Sequence, residues 1–516
     1  MSNPDETKDD AQGGTTPLPV ATAARRRLMA GALIFVIYAL IIWKYMGAYA
    51  GGADPTGYLN SAKLLGRGTL CIPQPVLPGL DVKDFAPYTF VPHGMRPVGT
   101  HEMAALFPPG LSLAIFLTAK ITGWNLAPHL VMLAACLLGV LGTAWLADAW
   151  GLPWKWTWFA ALMLAVSPIY LVMSLHLMSD VPALTTATLA VVLAWKSRGR
   201  DSWAPAAGAM VAAAVLVRPN NILVMLPVAI CLGCSWRRWL LLCAGGLPGA
   251  VFYCAFDHFA YGHALETGYS TYGKPSSLFD RAVIPATLLY YAKWLPVCIT
   301  PLGMLALGLP WLVRAAPRST VVLLVWIVGY FAFYVACVFT GMTWTNMRYI
   351  MPAFPACIVG TLLVAQSLFA KSRAGISGRF TKPVTAGMTL ALVASLLAWD
   401  IAWSRKLGAT GSGRFMRNFY NASGWAAANL PANAVILCKE TGGSLYYYDS
   451  FQLVCSDCLD HEQWAKIRNA CAASHAPIYA AMIFPIDAQD TLTARLDGKW
   501  TLIKTVRDIT FWRFDG

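Results

Sequence analysis

The chain has 516 residues, of which 57% are hydrophobic and only 12% charged, and its formal net charge at pH 7 is +14. Soluble globular proteins carry about 25% charged residues, so this composition excludes an ordinary soluble chain, and it also excludes disordered, collagenous and coiled-coil chains. It predicts a polytopic membrane protein, whose excess of lysine and arginine belongs in cytoplasmic loops and does not require a nucleic-acid partner.

Apolar stretches of about 20 residues are long enough to cross a bilayer. Eleven such stretches are predicted to cross, some of them with the help of flanking residues. They are 28–48, 128–149, 157–174, 181–195, 203–217, 221–234, 239–260, 295–313, 319–340, 351–370 and 384–403. A further apolar stretch, 107–123, is ambiguous.

Basic residues set the predicted orientation, because they concentrate in short cytoplasmic loops. Arg25, Arg26 and Arg27 precede the first span, which places the N-terminus inside. If 107–123 crossed the membrane, most of the remaining charge pattern would invert. We therefore predict that this stretch lies at the outer face or dips into it.

The predicted organisation has one tail and three outward-facing parts. Residues 1–27 form a disordered cytoplasmic tail, and 28–403 form the transmembrane domain. The outward parts are a first loop, 49–127, with helices lying along the membrane, a second loop, 261–294, and residues 404–516.

Residues 404–516 differ in composition from the rest, because charge returns and apolar runs shorten to strand length. These runs are Ala434–Cys438, Pro477–Phe484, Trp500–Val506 and Ile509–Phe514. Helix-like stretches, 418–429 and 459–474, lie between them, with Asn418 and Asp460 as candidate caps. The pattern predicts a small α/β domain.

The α/β domain contains Cys438, Cys455, Cys458 and Cys471. In an oxidising compartment four cysteines allow two disulfides in three connectivities. Cys455 and Cys458 could instead form a redox or metal pair, although no flanking pattern supports that alternative.

Two acidic residues stand at the predicted outer boundary, where ionisable groups are costly and often functional. Asp54 follows the first span in the segment Gly51-Gly52-Ala53-Asp54-Pro55, and Asp180 lies in a short outward turn, followed by Val181-Pro182. Such a carboxylate can act as a general base toward a hydroxyl. Each aspartate could equally cap the helix that follows it.

Arg218 and Arg348 are the only basic residues of the short outer loops, 175–180, 218–220 and 341–350. Because they run against the positive-inside bias, each is expected to have an anionic partner. A carboxylate such as Asp180 would serve, and so would a phosphate, which a guanidinium binds through two parallel donors. The alternative is snorkelling toward lipid headgroups.

The two longer outer loops supply further candidates. Tyr269 and Tyr272 alternate with glycines, as in a sugar or headgroup contact surface, but interfacial tyrosines have the same pattern. Lys274 is the second loop's best candidate for an anion contact. The polar residues of the first loop, which could also be plain loop residues, are His93, Arg96, His101 and Glu102.

The order of these residues resembles the GT-C superfamily of integral membrane glycosyltransferases. Within it, residues 28–370 are similar to the protein-mannosyltransferase and aminoarabinose-transferase branch, which includes the RgtA/B/C/D-like enzymes. The matching pieces are Ala53-Asp54-Pro55 with Tyr58, Phe107-Pro108-Pro109-Gly110, Ser179-Asp180-Val181-Pro182, Arg218-Pro219, Tyr261-Gly262 with Thr267-Gly268-Tyr269, and Arg348-Tyr349-Ile350-Met351-Pro352. The sequence departs from many relatives in having Pro55, not a second acid, after Asp54, and in having Gly110 where leucine is usual.

The resemblance implies transfer of a sugar from a polyprenyl phosphate carrier to a hydroxyl of a lipid, glycan or protein. The reaction would occur at the periplasmic face of a bacterial inner membrane, with the C-terminal domain in the periplasm. Asp54 would be the catalytic base, and Asp180 matches a second acidic position. The candidate substrate-binding residues are Arg348, Tyr349, Arg218, Lys274, Tyr269, Tyr58, His101 and Glu102.

The implied reaction is an attack on the anomeric carbon from the side opposite the phosphate, which inverts its configuration. No metal is required if arginine or lysine stabilises the leaving phosphate, but a metal held by Asp54 and Asp180 is an alternative. The competing functions are a secondary transporter or flippase of a glycolipid or small solute, a non-catalytic assembly protein, and a membrane ligase of another architecture.

Overall fold

The structure is a computed structural model, and it describes residues 18–272, 278–312, 314, 316–375, 381–483, 491–492 and 495–516. Its contacts divide the chain into two compact units, residues 1–44 and 45–516. Most of the described residues are helical, and the strands form two separate sheets.

The first helix, α1, spans Leu18–Tyr45 and so begins ten residues before the predicted span at 28. The predicted disorder of 1–27 therefore does not hold from Leu18 onward, and residues 1–17 lie outside the described part of the chain. Seven large apolar side chains of α1 are exposed: Leu33, Ile34, Val36, Ile37, Leu40, Ile41 and Trp43. A helix with such a surface needs an apolar solvent, as a membrane provides.

The other helices up to residue 406 include those that correspond to apolar stretches of the sequence and one, Ala53–Arg67, in the predicted first outer loop. They are α2 (Ala53–Arg67), α3 (Pro109–Thr122), α4 (Ala127–Ala149), α5 (Trp154–Val166), α6 (Pro168–Ser174), α7 (Asp180–Lys196), α8 (Ala204–Val217), α9 (Met225–Leu232), α10 (Trp236–Tyr261), α11 (Ile284–Cys298), α12 (Pro317–Val335), α13 (Phe354–Gly375) and α14 (Thr381–Lys406). Two long 3-10 helices, Pro301–Leu312 and Trp344–Ala353, occur among them.

The predicted count of eleven spans is not confirmed. Among the described residues, four helices are long and apolar enough to cross a membrane, or six if two bent helix pairs each count as one span. The α5–α6 pair bends by 63° and α11 with the following 3-10 helix by 113°. The 14-residue α8 would reach only about 21 Å of the roughly 30 Å of hydrocarbon.

Two outer segments also differ from the prediction. The ambiguous stretch 107–123 forms α3, a 14-residue helix, which is too short to span a bilayer alone. The second outer loop was predicted to continue to residue 294. It ends earlier, because α11 begins at Ile284. The first outer loop also contains a small antiparallel sheet of β1 (Cys71–Pro73), β2 (Met95–Val98) and β3 (Glu102–Ala105), in the order β1-β3-β2.

The C-terminal α/β domain has a five-stranded sheet in the order β5-β4-β6-β8-β7. Its strands are β4 (Val435–Cys438), β5 (Gln452–Cys455), β6 (Ile478–Ile483), β7 (Trp500–Val506) and β8 (Ile509–Phe514). Strands β5, β4 and β6 are parallel, and β8 and β7 are antiparallel additions. The four predicted strands are confirmed, whereas the short β5 was not predicted.

Side chains of β4 alternate between the two faces of this sheet, as the period of a strand requires. Val435 and Leu437 enter a core with Trp464, and Ile436 and Cys438 enter a second core with Phe511. The helices α15 (Ala409–Asn429), α16 (Gly442–Tyr448) and α17 (His461–Ala473) complete the domain. The thirteen cysteines are all free thiols, and the sulfur atoms of Cys455 and Cys458 are 3.1 Å apart.

One of the two predicted helix caps is present. Asp460 caps α17 in a capping box, in which its carboxylate accepts a hydrogen bond from the Gln463 backbone N–H at 2.7 Å. The Asn418 prediction is wrong, because α15 begins nine residues earlier at Ala409 and places Asn418 in its interior. There its amide donates to the Asp508 carboxylate at 2.8 Å.

Replacing Asp460 by alanine removes the acceptor for the Gln463 N–H and should cost about 1 kcal/mol of local stability. Amide hydrogen exchange in the first turn of α17, measured in the full-length protein, should then be about fivefold faster. Asp460→Asn is the matched control, since asparagine keeps a capping oxygen and should exchange at the wild-type rate. Equal exchange in the alanine variant would show that the cap does not hold this helix end.

Candidate active site

Neither aspartate acts as a helix cap, so that interpretation of the sequence is wrong for both. The N-cap of α2 is Gly52, whose φ of +66° is in the left-handed region, and Asp54 lies in the first helical turn. The N-cap of α7 is Ser179, and Asp180 is the first helical residue. Neither cap makes a side-chain capping hydrogen bond. Both carboxylates are therefore available for other partners near positively polarised helix starts.

Each aspartate forms an ion pair with one of the two arginines singled out in the sequence. Arg348 Nη1 lies 3.4 Å from Asp54 Oδ2, and the two side chains are 20% and 26% exposed. Arg218 Nη2 lies 2.7 Å from Asp180 Oδ1, and the Asp180 side chain is fully buried. The first pair is therefore open to a ligand, whereas the second is enclosed by protein.

Local backbone structure brings these four residues together. Arg218 ends α8 in an extended conformation, and its Nε donates to the Ser179 hydroxyl at 2.9 Å. Arg348 lies in the 3-10 helix Trp344–Ala353, which packs against α7. Asp54 and Asp180 both act electrostatically on Arg348. We call Asp54, Asp180, Arg218 and Arg348 the charged quartet.

Tyr349 supports both arginines of the quartet. Its ring centroid is 5.4 Å from Arg348 Cζ and 6.0 Å from Arg218 Cζ, within the range of cation–π attraction. The Tyr349 ring itself stacks on Tyr334 at 5.5 Å with an angle of 14° between the rings. One aromatic pair therefore holds two guanidinium groups in place.

Tyr58 and Tyr269, two of the predicted substrate-binding residues, lie beside the quartet. Both rings contact Phe107, at centroid distances of 5.0 and 6.2 Å. Burial raises the pKa of both phenols, and for Tyr58 the negative charge of Asp54 adds to this effect. Both tyrosines are therefore neutral at pH 7, so that they can donate a hydrogen bond but cannot act as bases.

Two predicted substrate-binding residues are not brought to the quartet. His101 and Glu102 lie exposed at the β2–β3 hairpin, and their backbone carbonyls accept hydrogen bonds from Gln74. The hairpin turns these two side chains to the surface, so their substrate-binding role stays a prediction. Lys274 lies outside the described residues.

His176 belongs to the site but was not singled out, although it precedes Asp180 in the same motif. Burial lowers the pKa of His176 to about 4, and the nearby charge of Arg348 contributes. The imidazole is therefore neutral at pH 7. Within the described part of the chain its Nε2 is buried and has no hydrogen-bond partner. Its position four residues before Asp180 was the sequence feature that could have identified His176 as a site residue.

His93 connects the first outer loop to the C-terminal domain. Its carbonyl accepts a hydrogen bond at 3.0 Å from the hydroxyl of Thr56, two residues after Asp54. Gly443 of α16 packs so closely here that a Cβ atom on it would lie 2.4 Å from the same carbonyl. Burial lowers the pKa of His93, while the charges of Glu440 and Asp54 oppose that shift. The C-terminal domain thus forms one wall of the site.

The quartet offers hydrogen-bond donors to an anionic ligand. Each carboxylate contacts a guanidinium, and the described residues contain no group of three or more His, Cys, Asp or Glu side chains that could hold a metal ion. The two negative and two positive formal charges of the quartet cancel. In the same described part of the chain, Nε of Arg348 is buried and has no hydrogen-bond partner. A phosphate could use this donor.

The chain is similar to known proteins in structure but matches none of the compared proteins in sequence. No protein-family model matches the sequence, and no curated protein sequence matches it. Crystal structures of ArnT from Cupriavidus metallidurans are similar in the apo state (TM-score 0.60, 13% identity) and bound to undecaprenyl phosphate (TM-score 0.59, 12% identity). Both likenesses cover 94% of this chain and 98% of ArnT.

A second similar structure is the oligosaccharyltransferase of Archaeoglobus fulgidus, tethered to an acceptor peptide containing the NVT sequon. The TM-score is 0.52 at 13% identity, and the likeness covers 93% of this chain and 73% of that one. ArnT and this oligosaccharyltransferase are GT-C glycosyltransferases. The resemblance stated from the sequence is therefore confirmed at the level of the fold, and the chain has the GT-C fold.

Proposed function

We propose that this protein is a membrane glycosyltransferase that moves a sugar from a polyprenyl phosphate carrier to a hydroxyl acceptor. The observation that carries the proposal is the meeting of Asp54, Asp180, Arg218 and Arg348 in one cluster. A non-catalytic assembly protein would have no reason to bring them together. The similar ArnT structure with undecaprenyl phosphate supports a lipid-phosphate donor.

Asp54 is proposed as the general base. A hydroxyl is a poor nucleophile until its proton is removed, and a carboxylate in reach can remove it during the attack. Asp54 is the more exposed carboxylate of the quartet, and it makes no capping hydrogen bond that would occupy it. Attack on the face opposite the leaving phosphate would invert the anomeric configuration.

Arg348 is proposed to bind the donor phosphate. When the sugar leaves, the carrier phosphate changes from a diester to a monoester and gains negative charge. A guanidinium placed there stabilises the transition state more than the ground state, with a contribution of about 2–4 kcal/mol. The single 3.4 Å contact with Asp54 leaves other donors of Arg348 for this role.

Asp180 and Arg218 are proposed to position the site. Their pair is buried, and a buried charge that loses its partner costs about 3–5 kcal/mol. Arg218 also binds Ser179 and lies over Tyr349. Asp180 therefore keeps Arg218 charged and oriented toward the place where the phosphate would bind.

We further propose that no metal takes part, because the two guanidinium groups supply the positive charge that a metal would otherwise provide. A transporter or flippase of glycolipids remains the alternative. It would need the phosphate contacts but no base, so the two functions differ in what a change at Asp54 does. The site is proposed to face the periplasm of a bacterial cell, with the N-terminus in the cytoplasm.

Asp54→Asn should abolish sugar transfer and leave folding intact. The amide keeps the size of the carboxylate but cannot take a proton, and general-base catalysis contributes about 10²–10⁴-fold. Transfer would be measured on purified protein with a polyprenyl-phosphate sugar. Asp81→Asn, in the exposed part of the same loop, is the matched control and should retain full activity. A variant with more than about a tenth of the wild-type rate would remove Asp54 from the mechanism.

Arg348→Ala should weaken binding of a polyprenyl phosphate without unfolding the protein. Arg348→Lys should recover only part of the affinity, because an ammonium cannot provide two parallel donors. The measurement is binding of undecaprenyl phosphate to protein in nanodiscs, with Arg281→Ala on the exposed second loop as the control. Wild-type affinity in the alanine variant would exclude the phosphate role.

Orientation can be tested with engineered cysteines in a background freed of reactive native thiols. A membrane-impermeant maleimide added to cells with a permeabilised outer membrane should label Ser474→Cys in the C-terminal domain. It should not label Ser202→Cys between α7 and α8, which is equally exposed in the structure but is expected in the cytoplasm. The opposite labelling pattern would overturn the topology.

A further inference from the structure

One cavity has none of the four quartet residues in its lining and has no role in the proposed reaction. Its volume is about 180 Å³, and it opens where the loop before α2, the start of α4, α15 and α16 meet. The side chains that give it its character are Tyr49, Trp124, Asn125, His129, Tyr420 and Tyr448. Most of its lining is aromatic, and nearly every ring carries a polar group.

The rings of this aromatic cavity support one another. Tyr49 stacks on Tyr420 at 5.2 Å and meets the edge of His129 at 5.0 Å. Tyr448 meets Tyr420 edge-on at 5.1 Å, and its hydroxyl accepts a hydrogen bond from the Ala50 N–H at 3.1 Å. A ligand would therefore find rings that are already held in place, which reduces the ordering cost of binding.

Charges around the cavity argue against a cationic ligand. Arg417 Cζ lies 5.6 Å from the Tyr49 ring centroid, and Lys63 Nζ lies 3.8 Å from the Tyr447 ring centroid. The protein's own cations thus place positive charge beside two of the lining rings, and this charge would repel a quaternary ammonium headgroup but not a neutral ligand. A neutral ligand with an apolar face for the rings and a polar rim for the phenols and Asn125 fits better.

We propose that the aromatic cavity binds a pyranose ring, whose axial C–H face is apolar and whose hydroxyls form a polar rim. Cavities for drug-sized ligands measure about 300–1,000 Å³, so 180 Å³ suits a single ring and not a whole oligosaccharide. The proposal rests on the proposed function, in which the ligand would be part of the acceptor.

The position of the cavity indicates which sugar of the acceptor it would hold. Leu59 of α2 lines the cavity, while Asp54 of the same helix contacts Arg348. Residues five apart lie about 140° from each other around a helix, so the two positions face different sides of α2. The bound ring is therefore a neighbour of the unit that receives the sugar, and the acceptor is a glycan or glycolipid of at least two units.

Binding can be tested without any transfer reaction. The full-length protein in lipid nanodiscs, free of glycoside detergents, would be mixed with methyl glycosides of gluco, manno and galacto configuration, and saturation-transfer NMR would detect contact with the ring C–H protons. At least one glycoside should show transfer, and choline should show none. Tyr420 is 42% exposed, so its truncation should not unfold the protein.

Tyr420→Ala removes the stacking partner of Tyr49 and should reduce the signal about fivefold, whereas Tyr420→Phe keeps the ring and should retain it. Asp54→Asn should also bind normally, so loss of transfer with intact binding would refute the proposed reaction but not the cavity. No signal from any glycoside, a preference for choline, or an unchanged signal in Tyr420→Ala would each overturn the sugar site.

Discussion

Two carboxylate–guanidinium pairs at one end of the helical domain are the interaction on which the arrangement of the site depends. Charges withdrawn from water must be paired, because an uncompensated buried charge costs several kcal/mol. Asp180 has no exposed surface, so Arg218 must leave the helical path at the end of α8 to reach it. The same requirement brings the 3-10 helix of Arg348 against the start of α7.

The two pairs differ in how much water reaches them, and this difference separates their roles. The buried pair of Asp180 and Arg218 is a fixed part of the protein, and its role is to position the other groups of the site. The partly exposed pair of Asp54 and Arg348 has the longer contact, and among the described residues Nε of Arg348 has no hydrogen-bond partner. An incoming anion can therefore bind Arg348 while Asp54 stays in contact with it. A phosphate that binds in this way would bring the anomeric carbon near the carboxylate, so donor binding and acceptor activation would use the same residue pair.

The four members of the quartet could be found from the sequence because they break general rules. Acids at a membrane boundary and arginines in short outer loops are rare, and their rarity marked Asp54, Asp180, Arg218 and Arg348. Four of the five strands of the C-terminal sheet were found because each is a short apolar run, whereas β5 was missed. The nearness of His93 to Asp54 and Glu440 could not be predicted, since it arises from packing between distant segments. The helices that cross could not be counted, because prolines bend or shorten apolar stretches in ways that hydropathy does not register.

The close contact of Gly443 with His93 and Thr56 has a consequence for how this protein can diverge. Where Gly443 meets the His93 carbonyl and the Thr56 side chain, the C-terminal domain has no side chain that could adapt to a changed first loop. The two parts are therefore one inherited unit, although they are separated by some 300 residues of sequence. A chimera that exchanged the C-terminal domain alone between relatives would misfit at Asp54, and acceptor preference would transfer only when the first outer loop is exchanged with it.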